Sequence, residues 1–180
     1  QITYFLENME YYEKRANVYG YTDDHLRWAL LSRGALEFIR QEEFVPDVLH
    51  VNDWQTALAL DFLANSYAKD KKLLKMARVL TIHNLHFQAM FDHHNVSELD
   101  SDDGRSEIAG FFDERLNHQN FLRRGLLHAD VISTVSETYS REILTPEFGE
   151  GLDKLLLELR SKLFGITNGI DYDEFNPATD

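Results

Sequence analysis

Short apolar runs alternate along this chain with longer stretches of helical spacing. Residues 2–6 (Ile-Thr-Tyr-Phe-Leu) read as a short strand. Thr22 or Asp23 can cap a helix over 24–41, in which Leu26, Ala29, Leu30, Leu36 and Ile39 keep helical spacing. A strand over 47–51 follows Pro46, and a helix over 54–67 carries Ala57, Leu58, Leu60, Phe62, Leu63 and Ala64, a pattern buried on more than one side. The run Val79-Leu80-Thr81-Ile82 predicts a central strand over 78–82 that ends abruptly in His83-Asn84. Beyond it lie an irregular stretch over 87–110, a helix over 118–127, a strand over 129–134, a helix capped by Ser136, a helix near 152–159 and a strand over 162–167. The acidic, hydroxyl-rich piece 97–106 reads as mobile surface. Strands alternating with helices imply βαβ units, hence an α/β fold with a Rossmann-like parallel sheet.

Composition narrows the function. The 180 residues suffice for one well-cored domain and not for two large ones. A net charge of −13 disfavours nucleic acid and anionic membranes as partners, and is neutral towards a polysaccharide. No cysteine is present, which excludes disulfides and thiolate chemistry and fits a cytoplasmic protein. No apolar run has membrane-spanning length. The chain starts at Gln1 and runs at once into a strand-like segment, which reads as the middle of a fold.

Three predicted strand ends carry polar side chains: Asn52-Asp53-Trp54, His83-Asn84 and Asn168-Gly169. In a parallel sheet these ends share one edge, where ligands bind. An acid, an imidazole and amides together offer donors and acceptors for hydroxyl groups, and Trp54 and Tyr21 offer flat apolar surface for a sugar ring. Each has a plainer reading as well. Asp53 can be a helix N-cap, His83 a bonded core histidine, Asn168-Gly169 a turn, and Trp54 core. Arg123-Arg124 reads as surface charge, with an anion contact as the lesser reading. His93-His94 diverge as neighbours, and four convergent metal ligands cannot be assembled, so no metal site is assigned. There is no glycine-rich phosphate loop and no Gly-x-Ser-x-Gly elbow.

The motifs then resemble a known family. Residues 50–57, His-Val-Asn-Asp-Trp-Gln-Thr-Ala, are similar to the His-x-(His/Asn)-Asp-Trp-(His/Gln)-Thr-Ala motif of bacterial glycogen synthases and plant starch synthases. Residues 81–88, Thr-Ile-His-Asn-Leu-His-Phe-Gln, resemble that family's Thr-Ile-His-Asn-Leu-Ala-Tyr-Gln. Collinear likenesses follow at 19–24, 120–126, 134–143, 145–149, 169–171 and 176–180. The chain departs from the pattern with Ala89 where glycine is usual, Arg123 for Lys, and Glu150 in a glycine-rich loop.

The resemblance implies a GT-B glycosyltransferase, with its site between two Rossmann-like domains. It also implies retaining transfer of glucose from ADP-glucose, or UDP-glucose in some members, to the non-reducing end of an α-1,4-glucan. No metal or cofactor is implied; the nucleotide sugar is a substrate. By the same resemblance His83 contacts the donor glucose near its 6-hydroxyl, Asp53 orients sugar hydroxyls, and Tyr21, Asn84 and Asn168 line the cleft, beside the surface that Trp54 offers on the reading of the residues alone. Nothing here matches the family's Lys-x-Gly-Gly-Leu segment or its nucleotide-binding second domain. Residues 1–180 thus read as the later part of the acceptor-side N-terminal domain, inactive alone, with an open sheet edge or apolar face that favours self-association. The location implied is the cytoplasm, or the plastid for a plant protein. Two alternatives stand beside it: a non-catalytic glucan-binding or interaction module, and a flavodoxin-like domain with Asp53 at a metal or phosphate site, which leaves the other strand ends unexplained.

Overall fold

The computed structural model describes residues 2–89, 102–172 and 174–179. Among these residues four strands, β1 (Val48–Asn52), β2 (Ala77–Ile82), β3 (Val131–Thr134) and β4 (Leu163–Gly165), form one fully parallel sheet whose spatial order follows the chain. Five α-helices of the described residues are interspersed: α1 (Asp24–Gln41), α2 (Asp53–Ala64), α3 (Phe121–His128), α4 (Glu137–Glu142) and α5 (Asp153–Glu158). The α/β architecture predicted from the alternating pattern is the one observed. Among the described residues no helix is long and apolar enough to cross a membrane.

One face of the sheet supplies the core. Val51, Leu80, Ile132 and Leu163 share a register across the four strands, and the first three are buried. α2 and α3 lie on the strands, and α1 packs on α2. α2 is buried almost all round, from Trp54 through Leu63, as its continuous apolar run requires. Close approach of α3 depends on Gly125. A Cβ there would stand 2.7 Å from the Ala57 Cβ and 2.8 Å from the Leu80 Cδ1. The other face is more open: Val48, His50, Val131 and Phe164 are exposed, and His50 Nε2, Thr81 Oγ1 and Ser133 Oγ form a hydrogen-bonded row at 2.7 Å spacings across three strands.

Several expectations are corrected. Residues 2–6 form no strand; Leu6 fills the notch beside Gly34, and the Tyr4 ring lies 4.6 Å from Phe38, so the segment rests on α1. Its β-branched and aromatic residues signal propensity, but pairing also needs a free strand edge beside it. α3 starts at Phe121 rather than near 118 because Asn120 is its cap, accepting at Oδ1 from the Arg123 N–H at 2.8 Å. Residues 102–106 are fastened, not mobile. Asp102 gives its two carboxylate oxygens to the Arg124 guanidinium at 2.8 and 2.9 Å. Arg124 is fully buried, so the surface-charge reading fails for it. The remainder of that acidic piece and the His93-His94 pair lie outside the described residues.

Candidate functional site

β1 passes into α2 with no intervening residue. The turn is made at Asp53, whose φ of 52° lies in the left-handed region, at a cost of about 1–2 kcal/mol for a residue with a side chain. This swings the Asp53 carboxylate away from the helix N-terminus and towards β2. Thr56 serves the turn instead, its Oγ1 accepting from the Asn52 N–H and donating to the Asn52 carbonyl, both at 2.7 Å. The N-cap reading of Asp53 therefore gives way to another role.

That role is to hold His83. Asp53 Oδ1 accepts from the His83 backbone N–H at 2.7 Å, and Oδ2 lies 2.9 Å from His83 Nδ1. A carboxylate only accepts, so Nδ1 carries the proton and Nε2 is left for a ligand. The His83 side chain is 44% exposed and that of Asp53 25%, which rules out the core-histidine reading. Neutral His83 accepts at Nε2, and the imidazolium donates there. In the next turn Asn84 Oδ1 accepts from the His86 N–H at 3.0 Å, which leaves its amide NH₂ for a ligand.

The other sequence candidates are placed differently. Trp54 is buried against Trp28 and Phe121, with ring centroids 6.0 and 6.5 Å away, and presents no flat face; Tyr19 at the edge of this cluster is half exposed. Trp54 stands on the buried side of α2, which is why its ring joins the core. The Tyr21 ring has the Arg15 guanidinium 4.6 Å from its centre and that of Arg27 at 5.4 Å, while its hydroxyl accepts from the Asn17 N–H at 3.1 Å. Asn168 is exposed beyond β4, on the same sheet edge but separated from β2 by β3. Asp53, His83 and Asn84 thus come together, Tyr21 is framed by arginines, and Asn168 stands apart.

Sequence reasoning missed the residues that fasten this edge. Gln88 is 2% exposed; its Nε2 donates to the carbonyls of Leu85 (3.2 Å) and Glu150 (2.9 Å), and its Oε1 accepts from Asn120 Nδ2 at 2.5 Å. Tyr139 Oη accepts from the Leu85 N–H at 2.9 Å, and burial pushes its phenol above the usual tyrosine value. Gln88 has two partners 32 and 62 positions away, so local sequence carries no sign of it. A signal did exist for the strain. Ala89, where glycine is usual in the resembling family, and Glu150, in a loop that is usually glycine-rich, adopt φ values of 71° and 49°. Among the described residues, no group of three or more histidine and acidic side chains is placed to hold a metal ion.

The match to known proteins is extensive. The family model for the starch synthase catalytic domain covers residues 2–158. This chain belongs to the glycogen and starch synthase family. The family is one of glycosyltransferases, and the parallel sheet with flanking helices is the architecture of its GT-B N-terminal domain. The chain is 43% identical to a glycogen synthase of Clostridium beijerinckii, over 99% of this chain and 37% of the relative. It is 42% identical to the glycogen synthases of Geotalea daltonii and Lactococcus lactis, each over 98% of this chain and 37% of the relative. Among solved structures it is similar to the catalytic domain of starch synthase IV from Arabidopsis thaliana bound to ADP and acarbose. There the TM-score is 0.72 and the identity 32%, over 92% of this chain and 34% of that one. The chain thus spans little more than a third of the length of these relatives.

Proposed function

We propose that these residues form the acceptor-side half of the active site of a glycogen synthase. In the reaction, the bond between glucose C1 and the diphosphate of ADP-glucose breaks. A new bond forms on the same face of C1 to the 4-hydroxyl oxygen at the non-reducing end of an α-1,4-glucan, and ADP leaves with that hydroxyl's proton. The observation that carries the reading is the two-pronged grip of Asp53 on His83. It fixes the ring and its tautomer at a strand end, which suits a group that positions the donor sugar and stabilises the transition state. Asn84 and the exposed edge around it supply further contacts to sugar hydroxyls. The nucleotide is held by a second Rossmann-like domain that is not among these 180 residues. The reading calls for no metal ion, and it places the protein in the cytoplasm with its glucan.

The test is glucosyl transfer to maltoheptaose from ADP-glucose and from UDP-glucose. We expect transfer by the full-length protein, with ADP-glucose the better donor, and none by the isolated 180-residue chain. Turnover by the isolated chain that vanishes in His83→Ala would overturn the half-site reading. Binding of maltoheptaose by the full-length protein without any transfer would support a glucan-binding module instead. The exposed side chains of Val48, Val131 and Phe164 favour self-association of the isolated chain, which sedimentation velocity measures.

A further inference from the structure

The turn that presents His83 is held in an unusual way. Four backbone hydrogen bonds of residues 83–86 go to side chains. The His83 N–H goes to Asp53, the Leu85 N–H to Tyr139 Oη, the Leu85 carbonyl to Gln88 Nε2, and the His86 N–H to Asn84 Oδ1. Two of these bonds bracket the peptide groups of Leu85, whose side chain is itself fully buried. Their donors and acceptors are in turn fastened from elsewhere. Tyr139 lies on α4, which is capped by Ser136 just after β3; Ser136 Oγ accepts from the Tyr139 N–H at 2.9 Å. Gln88 uses its remaining bonds on the Glu150 carbonyl and on Asn120, the cap of α3.

We infer that Tyr139 and Gln88 are positioning residues for His83: by clamping the peptide groups of Leu85 they fix where the imidazole stands. This rests on the proposed role of His83 in glucosyl transfer. Asp53 grips His83 from the β1 side only, and the sheet ends at Ile82. With Leu85 released, the turn pivots about the Asp53 carboxylate and carries the ring with it. With Leu85 clamped, the ring is held from both sides, by elements that follow β1, β2 and β3. Small displacements of such a group are costly, since a shift of about 1 Å can slow a reaction a hundredfold.

Tyr139→Phe is the clean probe, because it keeps the ring and deletes one hydrogen-bond acceptor. In the full-length protein, with ADP-glucose and maltoheptaose as substrates, we expect kcat to fall about tenfold while both KM values stay within about twofold, as for a group acting in the transition state. The decisive measurement is the same substitution in a His83→Ala background, where kcat should change by less than about twofold, because a residue that acts through His83 has nothing left to position. Gln88→Met should follow the same non-additive pattern, with a lower Tm as well. An equal loss of kcat in both backgrounds, or no loss in either, would overturn the inference. His83→Ala retaining wild-type kcat would be a different result, visible in the single variant, and would overturn the role of His83 and the inference together.

Discussion

Asp53 and Asp61 belong to the same helix, at its first residue and two turns further on, and they do opposite things. Asp53 sits at the sheet edge where water reaches it, on a left-handed residue, and faces a histidine. Asp61 is fully buried, with Oδ2 3.3 Å from Arg124 Nη1 and 3.7 Å from His128 Nε2, while its Oδ1 has no hydrogen-bond partner among the described residues. Arg124 is bound more closely by Asp102, which ties residues 102–106 to α3. A carboxylate at the edge can take part in recognising a ligand. A buried one is committed to its cation, and its value lies in which segments it joins.

The contrast can be broken most strongly from the buried side. Arg124→Met strands Asp61 and Asp102 without a cation and should destabilise the protein by about 3–5 kcal/mol in urea unfolding. Asp61→Leu should cost far less, because Arg124 keeps Asp102 and the Ser106 carbonyl and Asp61 is already half unpaired. A loss equal to that of Arg124→Met would mean that Asp61, not Asp102, anchors the cluster.

At the edge the effects should appear in rate rather than stability. His83→Ala should lower kcat by roughly a hundred- to a thousandfold, with a stability change below about 1 kcal/mol. Asp53→Asn keeps the shape but offers Nδ1 a poorer partner. It should cost roughly ten- to a hundredfold in kcat, again with little change in the unfolding midpoint. A large loss of stability in either variant would move Asp53 into the same class as Asp61.

Two smaller tests sharpen the picture. Ala89→Gly relieves a positive φ and should stabilise by up to about 1 kcal/mol, read as a higher Tm. The last test is pH. Burial holds the His128 imidazole below its ordinary value; Arg78, Arg124 and Lys162 push the same way, and Asp61 opposes them. The unfolded chain then binds the proton more readily. The associated stability is complete above about pH 6.5 and is lost as pH falls through that value towards the depressed one. His128→Asn should narrow the difference between urea midpoints at pH 7.5 and 5.5. Burial lowers His25 in the same direction, so part of the acid sensitivity should persist.

What could be read from the chain follows the same division. α1 is observed over the predicted residues because its periodicity is a local signal; the expected capping bond is not made, since Asp23 at the N-cap gives its carboxylate to Arg15 instead. Asp53 and His83 were visible as strand-end residues, since βα alternation implies a parallel sheet with all such ends on one edge. That they bind each other was not visible, because it depends on the left-handed turn at Asp53. Arg124 looked like surface charge because its carboxylates are 22 and 63 positions away. Trp54 was offered to a sugar by its neighbours in sequence and is taken by its neighbours in space.

The order of the strands has a consequence for how the molecule is made. Among the described residues, each strand after β1 is laid beside the one synthesised just before it. Asp53 and His83 can therefore meet once β1, α2 and β2 have left the ribosome, while Asn120, which holds Gln88, arrives later with α3, and Tyr139, which clamps Leu85 from outside its own segment, later still with α4. A nascent chain paused between those points would hold the pair without the lock, and the geometry around His83 would be set only as the later helices dock.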